Sequence, residues 1–227
     1  MRDEPLGLTV HSLPSPREAA QGDSQRTRSG RWKMLAVLAV CAAPVVASYF
    51  TYYVIRPEGR RNFGELIEPQ KPLPALTATS LDGARVPLPS LRGQWLLVSV
   101  AGGACDSGCR QHLYLQRQLR EGLGKEKGRV DWVWLIPDDA PVHESLRPAV
   151  AQATVLRVDA AQLREWLAPA AGRQLSEHFY LVDPMGNWMM RFPAQAPGEL
   201  DATAARNIRR DLDRLLRASA GWDKPGR

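Results

Sequence analysis

Stretches with different hydrophobic patterns follow one another along the chain. Residues 1–33 are rich in Ser, Pro, Gln, Arg and Gly without sustained periodicity, which predicts a disordered N-terminal tail. Residues 34–55 carry no formal charge, and an apolar stretch of this length predicts a single transmembrane helix. Residues 56–72 contain several prolines and glycines and few apolar side chains, so we expect a linker. A globular domain over 73–218 and a short C-terminal tail over 219–227 complete the chain.

Within the globular domain, apolar runs of strand length alternate with stretches of helical period. The pattern predicts strands at Trp95–Ala101, Val130–Ile136 and Thr154–Val158, hairpins at Leu76–Val86 and Phe179–Phe192, and helices at Cys105–Glu121, His143–Ala151, Ala160–Leu167 and Glu199–Ala218. This alternation, closed by a hairpin and a long amphipathic helix, predicts an α/β sandwich around a mixed sheet.

Composition narrows the function classes. The net charge is +6, with 30 basic and 24 acidic residues, but arginines are scattered and no Lys/Arg block occurs. Binding to nucleic acid is therefore not predicted. Only 3 cysteines are present, which excludes a disulfide-rich scaffold, and Cys41 lies inside the apolar stretch, where we expect it to be inert.

The apolar stretch is longer than the core of a signal peptide, so we interpret it as an uncleaved anchor. Basic residues near its ends bias the topology. Those before it are Arg26, Arg28, Arg31 and Lys33, and those after it are Arg56, Arg60 and Arg61. This small bias favours a cytoplasmic N-terminus in a bacterial inner membrane, with the globular domain in the periplasm.

The candidate chemistry lies in Cys105 and Cys109. They follow the Trp95–Ala101 strand directly and begin a predicted helix, on which residues i and i+4 share a face. Helix N-termini stabilise thiolates, so the pair suits reversible disulfide chemistry or a soft metal ion. Two inert, buried cysteines are the alternative. A two-cysteine motif at the first strand-to-helix turn predicts a thioredoxin-like fold.

Three segments together resemble the Sco/SenC family. The sequence Leu81-Asp82-Gly83 followed by Leu91–Val98 resembles that family's opening hairpin and its entry into the first core strand. Cys105–Cys109 matches its CxxxC motif, and Phe179–Gly186 resembles its last hairpin. The resemblance covers about residues 74–217. It implies a membrane-anchored thioredoxin-fold protein that helps assemble the copper sites of cytochrome oxidase.

The same resemblance implies a copper site, with two departures. The family has proline after its second cysteine, where this chain has Arg110, and Leu175 occupies the position of the family's third copper ligand, a histidine. The thiolates of Cys105 and Cys109 carry over as copper ligands. His178 is the nearest histidine and the candidate for the missing ligand.

Other polar residues near the pair have weaker interpretations. His112 follows Cys109 by one helical turn and could ligate or tune the thiols, or be a surface residue. Asp138 and Asp139 follow a core strand and are expected to be solvated capping residues. Asp106 adds negative charge beside both sulfurs, which opposes the effect of the helix end.

The leading hypothesis is a Sco-like accessory protein whose partner is a cytochrome oxidase subunit or a copper-assembly factor. Cys105 and Cys109 would either deliver copper or reduce a disulfide of the copper-receiving subunit, with Cys105 expected to attack and Cys109 to resolve. A general thiol–disulfide oxidoreductase or peroxidase and a non-catalytic scaffold remain alternatives. Gly102 and Gly103 stand where a peroxidase usually has Thr or Ser.

Overall fold

The computed structural model describes residues 16–55, 62–194 and 201–223. The chain divides into two compact units, Met1–Arg60 and Arg61–Arg227. The second unit contains the sheet and the cysteine pair.

The first unit is helical wherever it is described. Helix α1 covers Pro16–Phe50, and a π-helical turn over Thr51–Ile55 continues it. Within the described residues, Ser29–Val54 is the one segment long and apolar enough to cross a membrane. Helix α1 thus begins inside the predicted N-terminal tail, and residues 1–15 of that tail lie outside the described part.

An eight-stranded mixed sheet forms the centre of the second unit. Its strands, in chain order, are β1 (Glu65–Pro72), β2 (Thr77–Ser80), β3 (Arg85–Pro87), β4 (Trp95–Val100), β5 (Val130–Ile136), β6 (Thr154–Arg157), β7 (Tyr180–Val182) and β8 (Asn187–Arg191). They lie side by side in the order β1-β8-β7-β4-β5-β6-β2-β3. Strands β4, β5 and β6 are parallel, and β7 and β8 are the predicted second hairpin.

Three helices cover the two faces of this sheet. Helix α3 (Ala160–Trp166) packs Leu163 and Trp166 against one face. Helices α2 (Ser107–Glu121) and α4 (Ala202–Ser219) pack on the other face, where apolar side chains recur at helical spacing. The predicted α/β, thioredoxin-like sandwich is confirmed.

Part of the predicted linker is a strand instead. Residues Glu65–Pro72 form β1, which pairs with β8 at one edge of the sheet. Pro69 and Pro72 lower strand propensity, but an edge strand tolerates their missing N–H groups. Long-range contacts hold the strand in place, since Arg191 pairs with Glu65 at 2.6 Å and the side chain of Leu66 joins the core.

The helix predicted over His143–Ala151 is also wrong. Only Glu144–Leu146 forms a short 3-10 turn, which begins after His143. Pro148 lies inside the predicted range, and a proline in a helix interior removes a hydrogen bond and clashes with the preceding turn.

The predicted C-terminal tail contributes to the core through Asp223. Its Oδ2 accepts hydrogen bonds from Arg129 Nη2 at 2.6 Å and from Trp95 Nε1 at 2.6 Å. Ser219 Oγ donates a further bond to the same oxygen. Asp223 and Arg129 are both buried, so this ion pair fixes the segment after α4 against the start of β5, and the bond from Trp95 fixes it against the start of β4.

Candidate functional site

The cysteine pair lies at the carboxyl end of β4, where the sequence predicts it. Cys105 and Cys109 form a disulfide, with their Cα atoms 5.1 Å apart. The helix begins two residues later than predicted, because Asp106 is its N-cap and accepts a hydrogen bond from the N–H of Cys109 at 2.8 Å. Cys109 therefore lies in the first helical turn, and Cys105 lies just before the cap.

The two sulfur-bearing residues differ in exposure. Cys105 is 6% exposed and packs among Leu113, Trp132 and Trp134. Cys109 is partly exposed at the edge of the same cluster. An attacking thiol needs access to its partner, so this difference in exposure favours Cys109 in that role over Cys105, the residue expected from the sequence.

The backbone at Cys105 is unusual. Its φ is +40°, a left-handed conformation that side chains other than glycine seldom adopt. Such a residue costs on the order of 1–3 kcal/mol and persists only where its surroundings determine it. The loop before Cys105 supplies those surroundings.

That loop contacts the segment that follows β5. The N–H of Gly103 donates a hydrogen bond to Asp138 Oδ1 at 2.9 Å, and the N–H of Ala140 donates to the same oxygen at 3.2 Å. A Cβ atom at Gly103 would clash with the carbonyl oxygen of Ala140, and one at Gly102 would clash with Asp138 Oδ2. Asp138 is thus more than a solvated cap, because it fixes the loop that leads into the disulfide.

An arginine from the next strand holds the same segment. Arg157, the last residue of β6, donates from Nη1 to the carbonyl of Asp138 at 2.6 Å and from Nη2 to that of Ala140 at 2.9 Å. The sequence contained no signal for this arrangement, since an arginine at the end of a strand is usually a solvent-exposed residue.

A buried glutamine fixes α2 against the sheet. Gln116 Nε2 donates to the carbonyl groups of Leu97 at 2.7 Å and Val133 at 3.0 Å, and its Oε1 accepts from Ser99 Oγ at 2.9 Å. The helix that carries Cys109 is therefore attached to both central strands. The sequence carries no signal for these bonds, since they depend on how the helix packs against the sheet.

His178, the candidate third copper ligand, is committed elsewhere. It is 1% exposed, its Nδ1 lies 2.8 Å from the carbonyl oxygen of Phe192, and its Nε2 accepts from the N–H of Ala170 at 3.2 Å. Burial lowers its pKa, so the ring is neutral, with Nδ1 as the donor. Both nitrogens serve the fold, and the prediction of His178 as a ligand is not supported by this geometry.

His112 is a partly buried imidazole on α2. It stacks on Phe179 with ring centroids 3.8 Å apart, and its Nε2 is buried with no hydrogen-bond partner in the described part of the chain. Burial lowers the pKa of His112 to about 4. The residue is thus a neutral packing group near physiological pH and not the surface residue of the alternative prediction.

The side chains present do not form the copper site that the resemblance implies. Leu175, at the position of the family's ligand histidine, packs against the core. Across residues 16–55, 62–194 and 201–223, no three His, Cys, Asp or Glu side chains converge as metal ligands would. Two cysteines bonded to each other, without a third ligand, suit redox chemistry better than metal binding.

A cavity opens at the same sheet edge as the disulfide, on the face that α3 covers. It has a volume of about 580 Å³ and is lined largely by apolar side chains, among them Leu163, Leu167 and Leu175, with Arg164 and Arg173 also on its walls. Ala101 and Gly102 belong to its lining, so the loop that leads to Cys105 is also a wall of this cavity.

Comparison with solved structures gives several likenesses of low identity. A SCO1/SenC family lipoprotein from Bacillus anthracis str. Ames is 18% identical, with 66% of this chain and 99% of that chain covered and a TM-score of 0.47. ScoI of Bradyrhizobium japonicum with copper bound is 18% identical, with 59% and 95% covered and a TM-score of 0.40. The thioredoxin domain of a thiol-disulfide oxidoreductase from Bacteroides vulgatus is 17% identical, with 64% and 95% covered and a TM-score of 0.43. Similarities this low do not decide to which family the chain belongs.

Family models are more specific than these structures. No curated protein sequence matches the chain. Residues 24–54 match the model of the transmembrane-like N-terminal domain. Residues 95–219, more than half of the chain, match the model of the transmembrane-like, thioredoxin-like C-terminal domain. The chain therefore belongs to the family of proteins that carry this transmembrane-like, thioredoxin-like C-terminal domain.

Proposed function

We propose that this protein is a membrane-anchored, Sco-like thiol–disulfide exchange protein that keeps the copper-receiving cysteines of a cytochrome oxidase subunit reduced. The observation that carries the proposal is the disulfide between Cys105 and Cys109, with Cys109 partly exposed in the first turn of α2. Buried structural cysteines would not leave one sulfur-bearing residue accessible at a helix N-terminus.

The exchange has two steps. In the reduced protein, the Cys109 thiolate attacks a disulfide of the partner, forming a mixed disulfide and releasing one partner thiolate, which takes up a proton. Cys105 then loses its proton and attacks Cys109 Sγ, which releases the second partner thiol and restores the Cys105–Cys109 bond. Two electrons pass to the partner. A dithiol reductant of the thioredoxin class returns them to the protein.

The helix end assists the attacking sulfur. The positive end of the α2 dipole stabilises the Cys109 thiolate, while the carboxylate of Asp106, which caps the same helix, opposes this effect. Cys105 lies in the apolar cluster close to Cys109, so its attack on Cys109 Sγ in the second step needs little movement of either side chain. The hydrogen bond from Gly103 to Asp138 keeps Cys105 in that position.

The anchor and orientation complete the proposal. The Ser29–Val54 segment is the proposed single span, and the bias of basic residues favours the thioredoxin-like domain on the periplasmic side of an inner membrane. A dithiol in that oxidising compartment needs a supply of electrons, which the thioredoxin-class reductant provides.

Copper delivery is the second candidate, and the resemblance to Sco proteins and the softness of two thiolates favour it. Leu175 and the hydrogen-bonded His178 argue against it as the main role. Cu(I) titration of the reduced full chain against a chromogenic chelator separates the two. One copper per chain, lost in a Cys105→Ser, Cys109→Ser variant and weakened in His178→Ala, would replace our proposal with delivery.

Oxidase assembly in a strain without this protein tests the proposed role in the cell. Wild type and Cys41→Ser should restore the haem spectrum and copper content of the oxidase, whereas the Cys105→Ser, Cys109→Ser variant should fail. Full restoration of the oxidase by the double variant would refute the proposal and favour the alternative of a non-catalytic scaffold. Peroxide consumption that depends on the cysteines would favour the peroxidase alternative.

A further inference from the structure

The outer face of α4 is a stripe of arginines. The exposed arginines of this helix are Arg206, Arg209, Arg210, Arg214 and Arg217. Their spacing places them on one face, opposite the buried residues Ile208, Leu212 and Leu216. The acidic side chains within the helix are Asp211, which is buried, and Asp213, which is partly exposed. Asp211 pairs with Arg214 at 3.6 Å, and the four other arginines against Asp213 leave the exposed face with an excess of positive charge.

An exposed tryptophan follows this helix. Trp222 is 57% exposed, although large aromatic side chains in a soluble domain are usually buried. Its position is fixed, because its backbone N–H donates to the carbonyl of Ser219 at 3.0 Å and its neighbour Asp223 forms the buried ion pair with Arg129. The fold thus presents an indole ring to solvent at the end of the arginine stripe.

The chain from the proposed membrane span enters the domain at the same helix. The N–H groups of Phe63 and Gly64 donate to Asp211 Oδ2 at 2.6 and 3.0 Å. The candidate span ends at Val54, and the chain from there to Phe63 can extend at most about 32 Å. A lipid surface next to the span is therefore within reach of α4.

We propose that the arginine face of α4 docks on the anionic phospholipid headgroups of the membrane that anchors the chain, with Trp222 inserted at the interface. Arginines near the surface supply electrostatic attraction to anionic lipid headgroups. Tryptophan prefers the boundary between headgroups and acyl chains, because its apolar ring can contact the acyl chains there while its indole N–H stays solvated. Both residue types occur on amphipathic helices that lie on membranes.

This docking places the disulfide away from the lipid contact at Trp222. Asp223 binds Trp95, the first residue of β4, whereas Cys105 lies in the loop after Val100, the last residue of that strand. Trp222 and the disulfide thus lie near opposite ends of β4, about 20 Å apart along the strand direction. A docked α4 would present Cys109 at a defined height, where a membrane-bound partner could reach it.

Fluorescence quenching of Trp222 by brominated lipid tests the proposal on the full chain in nanodiscs. Trp95, Trp132, Trp134, Trp166 and Trp188 are buried, so a Trp32→Phe background leaves Trp222 as the exposed tryptophan. We expect brominated phosphatidylglycerol to quench the emission, and a further Trp222→Phe change to remove most of the quenchable signal. We also expect the quenching to fall at least twofold in discs of phosphatidylcholine alone and in 0.5 M salt.

Charge variants complete the test. Arg206→Gln, Arg210→Gln and Arg217→Gln together should reduce the quenching at least twofold in anionic discs. The matched control, with Arg85, Arg147 and Arg164 changed to Gln on other elements, should leave it unchanged. Absence of Trp222 quenching in anionic discs would overturn the proposal, as would equal loss in both triple variants. If the α4 variant instead lost binding to an acidic protein surface without any lipid quenching, the face would be a protein interface and the lipid proposal would be wrong.

Discussion

The N–H of Gly103 donates a 2.9 Å hydrogen bond to Oδ1 of Asp138, which lies just beyond the end of β5. This bond joins the loop before the disulfide to the segment that follows a neighbouring parallel strand. Arg157 holds the same segment from β6. The left-handed backbone of Cys105 is therefore supported by residues from three successive strand ends.

Gly103→Ala should disturb this loop. A Cβ atom there meets the carbonyl oxygen of Ala140, and a backbone atom cannot move aside as a flexible side chain can. We expect a loss of about 1–3 kcal/mol in the free energy of unfolding, measured by urea titration of the oxidised full chain in detergent. Gly221→Ala is the control, because a Cβ atom at Gly221 meets nothing within 4 Å. Equal stability of the two variants would show that the loop yields without cost.

Single cysteine variants should reveal unequal thiols. In a Cys41→Ser background, Cys109 of the Cys105→Ser variant should react at least about fivefold faster with an aromatic disulfide reagent than Cys105 of the Cys109→Ser variant. Cys109 is partly exposed in the first turn of α2, whereas Cys105 is buried among apolar side chains. Faster reaction of Cys105 would restore the order of attack that the sequence predicts.

Because the Asp223–Arg129 ion pair is buried, we expect the replacement of Asp223 to lower the stability of the fold strongly. Asp223→Ala leaves the Arg129 guanidinium without its buried partner and removes the acceptor of Trp95 Nε1. We expect a loss of about 3–5 kcal/mol in unfolding free energy. Asp139→Ala, at an exposed carboxylate, is the comparison and should stay within about 0.5 kcal/mol of wild type. A similarly small effect of Asp223→Ala would mean that the segment after α4 is dispensable.

We expect His112 to lower the free energy of unfolding in acid. Its pKa is about 4 in the folded protein, below the ordinary value of 6.5, so between these values the unfolded chain binds the extra proton. Stability conferred by the neutral ring is complete above pH 6.5 and falls as the pH drops towards 4, by on the order of 2 kcal/mol. The measurement is the difference in unfolding free energy between wild type and His112→Phe at pH 7 and pH 4.5. A difference that does not change with pH would contradict the buried, neutral assignment.

Local sequence signals identified most of the regular elements and the disulfide-bonded cysteine pair. The apolar runs of β4 and β5 and the cysteines between β4 and α2 depend on neighbours in sequence, which pattern reasoning can assess. Residues whose role depends on distant partners were missed or misassigned. Asp223 resembled tail sequence because its partner Arg129 is far away in the chain. The β1 segment resembled a linker because its pairing strand β8, and Asp211, which binds the residues just before β1, are also distant in sequence.

The same reason explains the candidate metal ligand. Proximity in sequence to the last hairpin favoured His178 as a ligand, but the partners of its ring are the backbone groups of Phe192 and Ala170. The exposure of the two cysteines could not be predicted either, because it depends on packing with Trp132 and Trp134 of the neighbouring strand, which belong to the same buried cluster as Cys105.

Thiol–disulfide exchange by the full chain with Cys41→Ser tests the central claim most directly. Reduced protein is mixed with one equivalent of a short peptide disulfide, and oxidised protein with the corresponding dithiol peptide, before alkylation and mass spectrometry. We predict that exchange occurs in at least one direction, with one Cys105–Cys109 disulfide gained or lost for each peptide converted, and that the Cys105→Ser variant accumulates a mixed disulfide at Cys109. Absence of exchange in both directions, with the cysteine pair fully reducible by dithiothreitol, would contradict a redox role for the pair.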